Sequence, residues 1–292
     1  MVQLTELNGI AIAQICFFVP SLAVAIFLAS RHGFGRSAGW LYLILFSTVR
    51  ILGAALELAT INDPTSIGLA VGAFTLQSIG LAPLILVMLA SVGRVLEGIR
   101  FTHPTPLTPQ HLRFVQIIVI LAMVLGAVGG SFLSGAITDF YEHPSSSGTY
   151  AIPVESQVGA ALMIVGFAVV ILIAGSTLPH LSYVPAGEKR LLLAIGLAAP
   201  FVLVRLIFSA MASLSSNVSF RAYGGGQTYV TLFLAMSVIM EIIAVIIFES
   251  IGLTLQRQAR QATGTRTNPD RSKRGRFESV PLTESRNSAG QV

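Results

Sequence analysis

The chain has 292 residues, of which 53% are hydrophobic and only 11% are charged, and its mean hydropathy is +0.78. Soluble domains carry about 25% charged residues, so a soluble fold cannot bury this much apolar surface. The composition therefore excludes an ordinary soluble protein and predicts an all-α polytopic membrane protein.

Seven apolar stretches are long enough to cross a bilayer as helices. They lie at about residues 8–29, 38–59, 66–92, 113–135, 157–178, 191–213 and 228–253. Together they predict a seven-helix transmembrane domain over residues 1–256. Prolines inside spans one, three and six predict kinks, with span six broken at Pro200. Residues 136–155, which are polar and acidic, are predicted to form the longest internal loop.

The net charge of +5 comes from the C-terminal end of the chain. Residues 1–254 hold ten basic and ten acidic side chains, whereas the remaining residues hold eight basic and three acidic ones. Residues 257–292 contain few large apolar side chains and are predicted to be a disordered basic tail. We expect this tail to contact anionic membrane lipids rather than nucleic acid, or else to be a solvated segment that only fixes topology.

The distribution of Lys and Arg predicts the orientation in the membrane. If the N-terminus is outside, fifteen basic residues fall in the inner loops and tail, and only Arg221 falls outside. This asymmetry is the positive-inside pattern and predicts an N-out, C-in topology. The membrane is predicted to be the plasma membrane or an endomembrane.

Several other features limit the function. Cys16 is the single cysteine, so no intrachain disulfide can form, and it is expected to be a small buried residue. The five histidines fall in loops without metal-ligand spacing, and no phosphate-binding or nucleophile motif occurs. We therefore predict no metal and no cofactor. Asn217 begins an N-glycosylation sequon on the predicted outer side, close to the end of span six.

Five ionisable side chains lie inside the apolar stretches, where each costs about 3 kcal/mol on insertion scales. They are Arg50 and Glu57 in span two, Arg205 in span six, and Glu241 and Glu249 in span seven. At about 1.5 Å per residue, the two arginines and Glu241 reach the same depth near the bilayer centre. We expect these three to meet inside the bundle.

The other charges fall at different depths. Glu57 lies about 10 Å from Arg50 along its helix and is predicted to face an outer vestibule. Glu249 lies near the cytoplasmic interface. Gln77, a polar residue within span three, completes the candidate ligand-binding set with Arg50, Arg205, Glu241 and Glu57.

Two interpretations of the central cluster stay open. It is either an ion pair that only locks helices together, or a ligand or proton site in a wet cavity. The second interpretation favours a transporter or a lipid- or small-molecule-handling protein whose ligand has an anionic end held by Arg50 and Arg205. One alternative is an intramembrane enzyme of natural-product biosynthesis that resembles terpene cyclases in function, with Glu241 or Glu57 as the acid. Another is a receptor-like or structural membrane protein.

The span pattern, the helix with Arg50 and Glu57, the helix with Arg205 and the basic tail resemble one uncharacterised family. Its members are fungal seven-helix membrane proteins, and the resemblance covers about residues 5–255. In architecture alone the chain also resembles fungal lipid-translocating exporter-like proteins. The family resemblance implies a membrane location and no established activity. Microbial rhodopsins are disfavoured because span seven contains no lysine for a retinal Schiff base.

Overall fold

The computed structural model describes residues 5–32, 38–63, 66–100, 108–142, 151–179, 186–215, 217–221 and 226–255. The chain divides into two units, Met1–Arg257 and Gln258–Val292. The second unit, and with it the predicted basic tail, lies outside the described residues.

The described residues form helices joined by short connections, and they contain no strand. A five-residue π-helical turn, Leu234–Val238, joins the last two helices, and a 3-10 turn covers Val218–Phe220. The helices are α1 (Glu6–His32), α2 (Ala38–Ala59), α3 (Ile67–Ile79), α4 (Leu81–Arg100), α5 (Pro109–Glu142), α6 (Val154–Thr177), α7 (Ala186–Leu214), α8 (Gly226–Phe233) and α9 (Ile239–Thr254).

Seven helical segments of the described chain are long and apolar enough to cross a membrane. They run over Glu6–Arg31, Gly39–Ala59, Ile67–Arg100, Pro109–Ile137, Val154–Thr177, Lys189–Leu214 and Gly226–Thr254. These segments confirm the predicted all-α fold with seven spans, as in a multi-pass membrane protein. The N-out orientation and the choice of membrane stay predictions.

The outer faces of the helices are strongly apolar, which suits contact with lipid. Leu172 is 71% exposed, Phe114 is 65% exposed and Ile117 is 61% exposed. Cys16, which we expected to be buried, is exposed instead. It lies on an outward stripe of α1 with Ile12, Val19 and Ile26, because these positions recur with helical spacing on the side away from the bundle.

The third span is the central one and is interrupted. Every residue from Leu81 to Leu89 is buried, so α4 is enclosed by protein around most of its circumference. The span breaks at Gly80, where α3 ends and α4 begins. Pro83 explains the break, because it has no N–H for the carbonyl of Ile79 and its ring crowds that position.

Two further expectations about helix boundaries are wrong. Helix α7 continues through Pro200 without a break, since losing one backbone hydrogen bond does not end a well-packed membrane helix. The predicted loop over 136–155 begins later, because α5 extends to Glu142 and takes Asp139 into the helix. Helix α5 begins at Pro109, after a cap in which His111 Nδ1 accepts a hydrogen bond from the Thr108 N–H at 3.1 Å.

Glycines bring α5 close to its neighbours. A Cβ at Gly129 would lie 2.6 Å from the backbone nitrogen of Ser156 on α6, and one at Gly130 would overlap the Thr75 side chain on α3. On α6, a Cβ at Gly159 would lie 3.0 Å from the carbonyl oxygen of Ala122. These contacts are the close helix packing that small residues permit in membranes. They also form one wall of the cavity described below.

Candidate functional site

Arg50, Arg205 and Glu241 come together in the interior of the bundle. Arg50 Nη2 and Arg205 Nε both donate to Glu241 Oε1, the second at 2.6 Å. Arg50 and Glu241 are completely buried and Arg205 is 2% exposed. The structure therefore joins α2, α7 and α9 through the three charges expected to meet, whereas their role in ligand binding stays a prediction.

Gln77 of α3 completes this group, which we call the charge network (Gln14, Arg50, Gln77, Arg205 and Glu241). Gln77 Oε1 accepts a hydrogen bond from Arg50 Nη1, and its backbone oxygen accepts one from Arg205 Nη2 at 3.0 Å. Gln77 Nε2 donates to Gln14 Oε1 at 2.7 Å. Gln14, which is completely buried, was not predicted as a site residue. A polar amide within the apolar sequence of α1 is a signal from which it could have been predicted.

Aromatic rings cover the two guanidinium groups. The Arg50 Cζ lies 5.4 Å from the ring centroid of Phe46, four residues earlier on α2. The Arg205 Cζ lies 5.7 Å from the ring centroid of Phe208, three residues later on α7. Such contacts add attraction between cation and ring where water is excluded. Each arginine is thus held both by charged hydrogen bonds and by a ring on its own helix.

The break between α3 and α4 makes room for Arg50. A Cβ at Gly80 would lie 2.8 Å from both Arg50 Nε and Arg50 Nη2. The guanidinium therefore lies directly against the Gly80 backbone, where no other residue type fits without displacing it. Pro83 positions the break and Gly80 leaves it without a side chain, so both residues shape the site.

A π-helical turn lies just before Glu241. It covers Leu234–Val238, so Glu241 follows it by three residues. Ser237 within the turn is completely buried, and its hydroxyl has no hydrogen-bond partner among the described residues. Single π-helical turns are frequent at functional sites because the extra residue re-aims the side chains that follow. Here the turn precedes the carboxylate that binds both arginines.

The charge network carries one more positive than negative charge. Two guanidinium groups donate to one carboxylate oxygen, and no second carboxylate of the described residues contacts them. Arg205 Nη1 and Glu241 Oε2 are buried without a hydrogen-bond partner among the described residues. Leaving such groups unsatisfied costs about 1–3 kcal/mol each, more when they are charged. The network therefore contains both a donor and an acceptor atom that are buried and unsatisfied.

Two cavities border the charge network. The Arg205 cavity has a volume of about 70 Å³ and lies between α3, α5, α6 and α7. Its polar lining consists of Thr75, Gln77, Ser78, Ser156, Arg205, Ser209, Ser213, Arg221 and Tyr229. The Glu57 cavity, of about 120 Å³, contains Gln14, Glu57 and Gln77. Gln77, Phe74, Tyr229 and Phe233 line both cavities and so separate them.

The two cavities differ in charge. Arg205 and Arg221 line the first one, and its described lining includes no carboxylate. Glu57 is the only charged residue in the described lining of the second. Glu57 thus lies in a cavity, and no hydrogen bond among the described residues joins its side chain to the charge network. Its place in an outer vestibule stays a prediction. Arg50 and Glu241 line neither cavity, so a ligand there would reach them only through Arg205 or Gln77.

Glu249 belongs to a separate polar group. Ser21 Oγ donates to Glu249 Oε1 at 2.6 Å, and the Ser21 and Ser47 hydroxyl oxygens are 3.3 Å apart. No hydrogen bond among the described residues joins this group to the charge network. Glu249 is therefore not part of the site.

The predicted glycosylation sequon lies next to the end of α7. Asn217 is exposed, and its Oδ1 accepts a hydrogen bond from the Ser219 N–H at 3.0 Å. This turn overlaps the 3-10 turn Val218–Phe220. Glycosylation of Asn217 stays a prediction.

We expect Gln77→Leu to destabilise the protein by about 1–3 kcal/mol, because it removes the acceptor of a buried Arg50 donor and the partner of Gln14. The matched control is Gln116→Leu, which removes a half-buried hydrogen bond of 2.9 Å to the Tyr42 hydroxyl. Thermal unfolding in detergent, followed by the fluorescence of the single tryptophan, Trp40, compares the two variants. Equal unfolding temperatures for both variants would contradict the importance of Gln77.

Residues 4–258 match a protein family described as "Domain of unknown function (DUF7702)". This range contains all seven apolar helices and every residue of the charge network. The comparison with curated proteins finds no match, and neither does the comparison with solved structures. The family description states no activity and no source, so the fungal origin and the predicted activities stay predictions. The chain belongs to this uncharacterised family, DUF7702.

Proposed function

We propose that the protein is a transporter or a lipid- or small-molecule-handling protein that binds the anionic end of an amphipathic molecule in the Arg205 cavity. The observation that carries this proposal is the position of Arg205. Its Nε and Nη2 are held by Glu241 and by the Gln77 backbone, while its Nη1 has no hydrogen-bond partner among the described residues. The same residue lines the cavity.

Electrostatics favours an anion over a cation or a neutral group. The charge network has an excess of one positive charge, and Arg221 adds a second arginine to the lining of the same cavity. In a poorly hydrated interior an anion gains more from such charges than it does in water. The guanidinium of Arg205 is already fixed, so little side-chain entropy is lost when it binds.

The size of the cavity favours a ligand that is only partly enclosed. Pockets that enclose a whole drug-sized ligand measure about 300–1,000 Å³. The Arg205 cavity, at about 70 Å³, accommodates a small charged group such as a carboxylate. Its walls include Leu133, Met163 and Phe208, which suit the adjoining apolar part of the molecule.

The enzyme hypothesis receives less support from this geometry. A proton donor at Glu241 would cease to be the counter-charge of two guanidinium groups, both of which donate to its Oε1. Glu241 also lines neither cavity. Glu57 does line a cavity, but no hydrogen bond or ion pair among the described residues joins it to a second ionisable group.

The test uses dansyl-undecanoate and its uncharged methyl ester, with protein in phosphatidylcholine nanodiscs. We expect wild type to bind the carboxylate more tightly, and Arg205→Gln to weaken that binding by about 10- to 100-fold, the value of a hydrogen bond to a charged group. Binding of the ester should be unchanged. The variant keeps the neutral Arg50–Glu241 pair, so it should fold.

Arg190→Gln is the matched control, since Arg190 is exposed and donates to the Thr254 carbonyl, away from both cavities. If Arg205→Gln lowers the unfolding temperature but leaves the preference for the carboxylate intact, the network only locks helices and the proposal is wrong. Flux of the same probe into proteoliposomes then distinguishes a transporter from a protein that only binds.

A further inference from the structure

A third, larger cavity lies near the end of the bundle where α4 ends and α5 begins. It has a volume of about 400 Å³ and is lined by Tyr42 of α2, by residues 86–100 of α4 and by the first turns of α5. We call it the Arg100 cavity. Arg113 lies near the start of α5, whereas Gly130, which lines the Arg205 cavity, lies 17 residues further along the same helix. At about 1.5 Å per residue, Arg113 and Gly130 lie roughly 25 Å apart along α5. The nearest lining residues of the two cavities on this helix, Gln116 and Ala122, are about 9 Å apart.

Basic side chains dominate this cavity. Arg94, Glu97 and Arg100 follow each other at three-residue intervals and so lie on one face of α4, and Arg113 lines the cavity from α5. Among the described lining residues the formal charges of three arginines and one glutamate sum to +2. Gln116 Nε2 donates to the Tyr42 hydroxyl at 2.9 Å, so polar groups that accept and donate hydrogen bonds form another part of the wall.

The surroundings of the cavity are those of a membrane interface. Phe114, directly after Arg113, is 65% exposed, and Ile117 is 61% exposed. These apolar side chains on the outer face of α5 are in the position to contact lipid tails. The rest of the cavity lining is mostly aliphatic, with leucines from α4 and α5. A molecule in the cavity therefore meets arginines and an apolar wall, next to a lipid-facing helix surface.

We propose that the Arg100 cavity binds the phosphate-bearing headgroup of an anionic phospholipid from the membrane leaflet on that side. Arginine recognises phosphate through paired hydrogen bonds, and basic pockets between membrane helices on the cytoplasmic side are suited to such headgroups. The sequence predicts that this end of the bundle is cytoplasmic, the side on which anionic lipids are concentrated. A volume of about 400 Å³ accommodates a headgroup together with the first part of its acyl chains.

The proposed ligand carries a phosphate group and belongs to a lipid, so free phosphate must be distinguished from phospholipid. The test therefore measures the binding of fluorescent phosphatidic acid and fluorescent phosphatidylcholine to the full-length protein in detergent micelles. Inorganic phosphate and glycerol 3-phosphate are added separately as competitors. We expect phosphatidic acid to bind at least about tenfold more tightly than phosphatidylcholine, with neither soluble phosphate displacing it at millimolar concentration.

The variant is Arg100→Gln with Arg113→Gln, two residues that are not fully buried. Its control, Lys189→Gln with Arg190→Gln, removes two exposed charges of the same predicted side outside this cavity. We expect the cavity variant to weaken binding of phosphatidic acid by about tenfold or more and the control to leave it within about twofold. An equal loss in both variants indicates diffuse attraction to a basic surface and overturns the proposal.

Two other outcomes also decide the question. If soluble phosphate displaces the fluorescent lipid as well as unlabelled lipid does, the site binds free phosphate and the proposal of a lipid ligand is wrong. If the double variant does not fold, a photoreactive phosphatidic acid is cross-linked to wild type and the labelled peptides are sequenced. Labels at Tyr42 or within residues 86–100 or 109–116 support the site, and labels confined to other parts of the chain overturn it.

Discussion

We expect Glu241→Gln to lower the free energy of unfolding by about 3–5 kcal/mol, the loss found when one partner of a buried ion pair is removed. The reason is the charge that remains. Arg50 and Arg205 both donate to Glu241 Oε1, so the variant leaves two buried guanidinium groups without a counter-charge and close to each other. Thermal and denaturant unfolding in detergent, followed by Trp40 fluorescence, measures this loss.

Arg50→Gln gives the sharpest comparison for this prediction. It removes one of the two positive charges and leaves the neutral pair of Arg205 and Glu241. We therefore expect it to be clearly less destabilising than Glu241→Gln, although it is an equally buried site in the same network. Glu249→Gln, in the separate group with Ser21, is a second control and should have a small effect. Equal losses for Glu241→Gln and Arg50→Gln would contradict the charge balance described above.

We also expect a large loss of stability when one methyl group is added at Gly80. Gly80→Ala places a Cβ within 2.9 Å of three atoms of the Arg50 guanidinium, which is held by hydrogen bonds to Gln77 and Glu241 and has no exposed surface to move into. Displacing it breaks two charged hydrogen bonds, and we expect a loss of about 2–4 kcal/mol. The measurement is the same unfolding experiment.

Gly196→Ala is the matched control for the change at Gly80. Gly196 lies inside α7, where an added Cβ meets nothing within 4 Å, and it is exposed. Alanine is preferred to glycine inside a helix by about 1 kcal/mol, so this variant should be neutral or slightly stabilising. A Gly80→Ala variant as stable as Gly196→Ala would show that the guanidinium does not need the space beside Gly80.

The charge network could be predicted from the sequence because charge is rare at membrane depth. Arg50, Arg205 and Glu241 stand out in apolar helices, and the rise per residue of a helix places them at one level. The structure brings those three together at hydrogen-bond distance. The seven spans could also be predicted from the sequence, because the bilayer thickness sets the minimum length of an apolar helix that crosses it.

The sequence was less informative about how the charges are accommodated. Pro83 predicted a kink, but the space for Arg50 depends on the break occurring at Gly80, against α2. The sequence also did not predict the rotation of each helix about its axis. Gln14 was therefore not recognised as a partner of Gln77, and Cys16 was expected to be buried although it is exposed. These properties depend on which face of a uniformly apolar helix meets its neighbours, and hydrophobic periodicity gives little indication of this in a membrane.

The central claim is that Arg205 gives the cavity beside it a positive potential that attracts anions. The most direct test introduces Ser209→Cys, which lines this cavity, into a Cys16→Ala background. Labelling rates are measured with a negatively and a positively charged methanethiosulfonate reagent. The ratio of the two rates is compared with that at Thr228→Cys, an exposed position outside both described cavities.

We predict that the negative reagent is favoured at position 209 relative to position 228, and that Arg205→Gln abolishes the difference. Equal ratios at the two positions, or a preference that persists in the Arg205→Gln background, would contradict the claim.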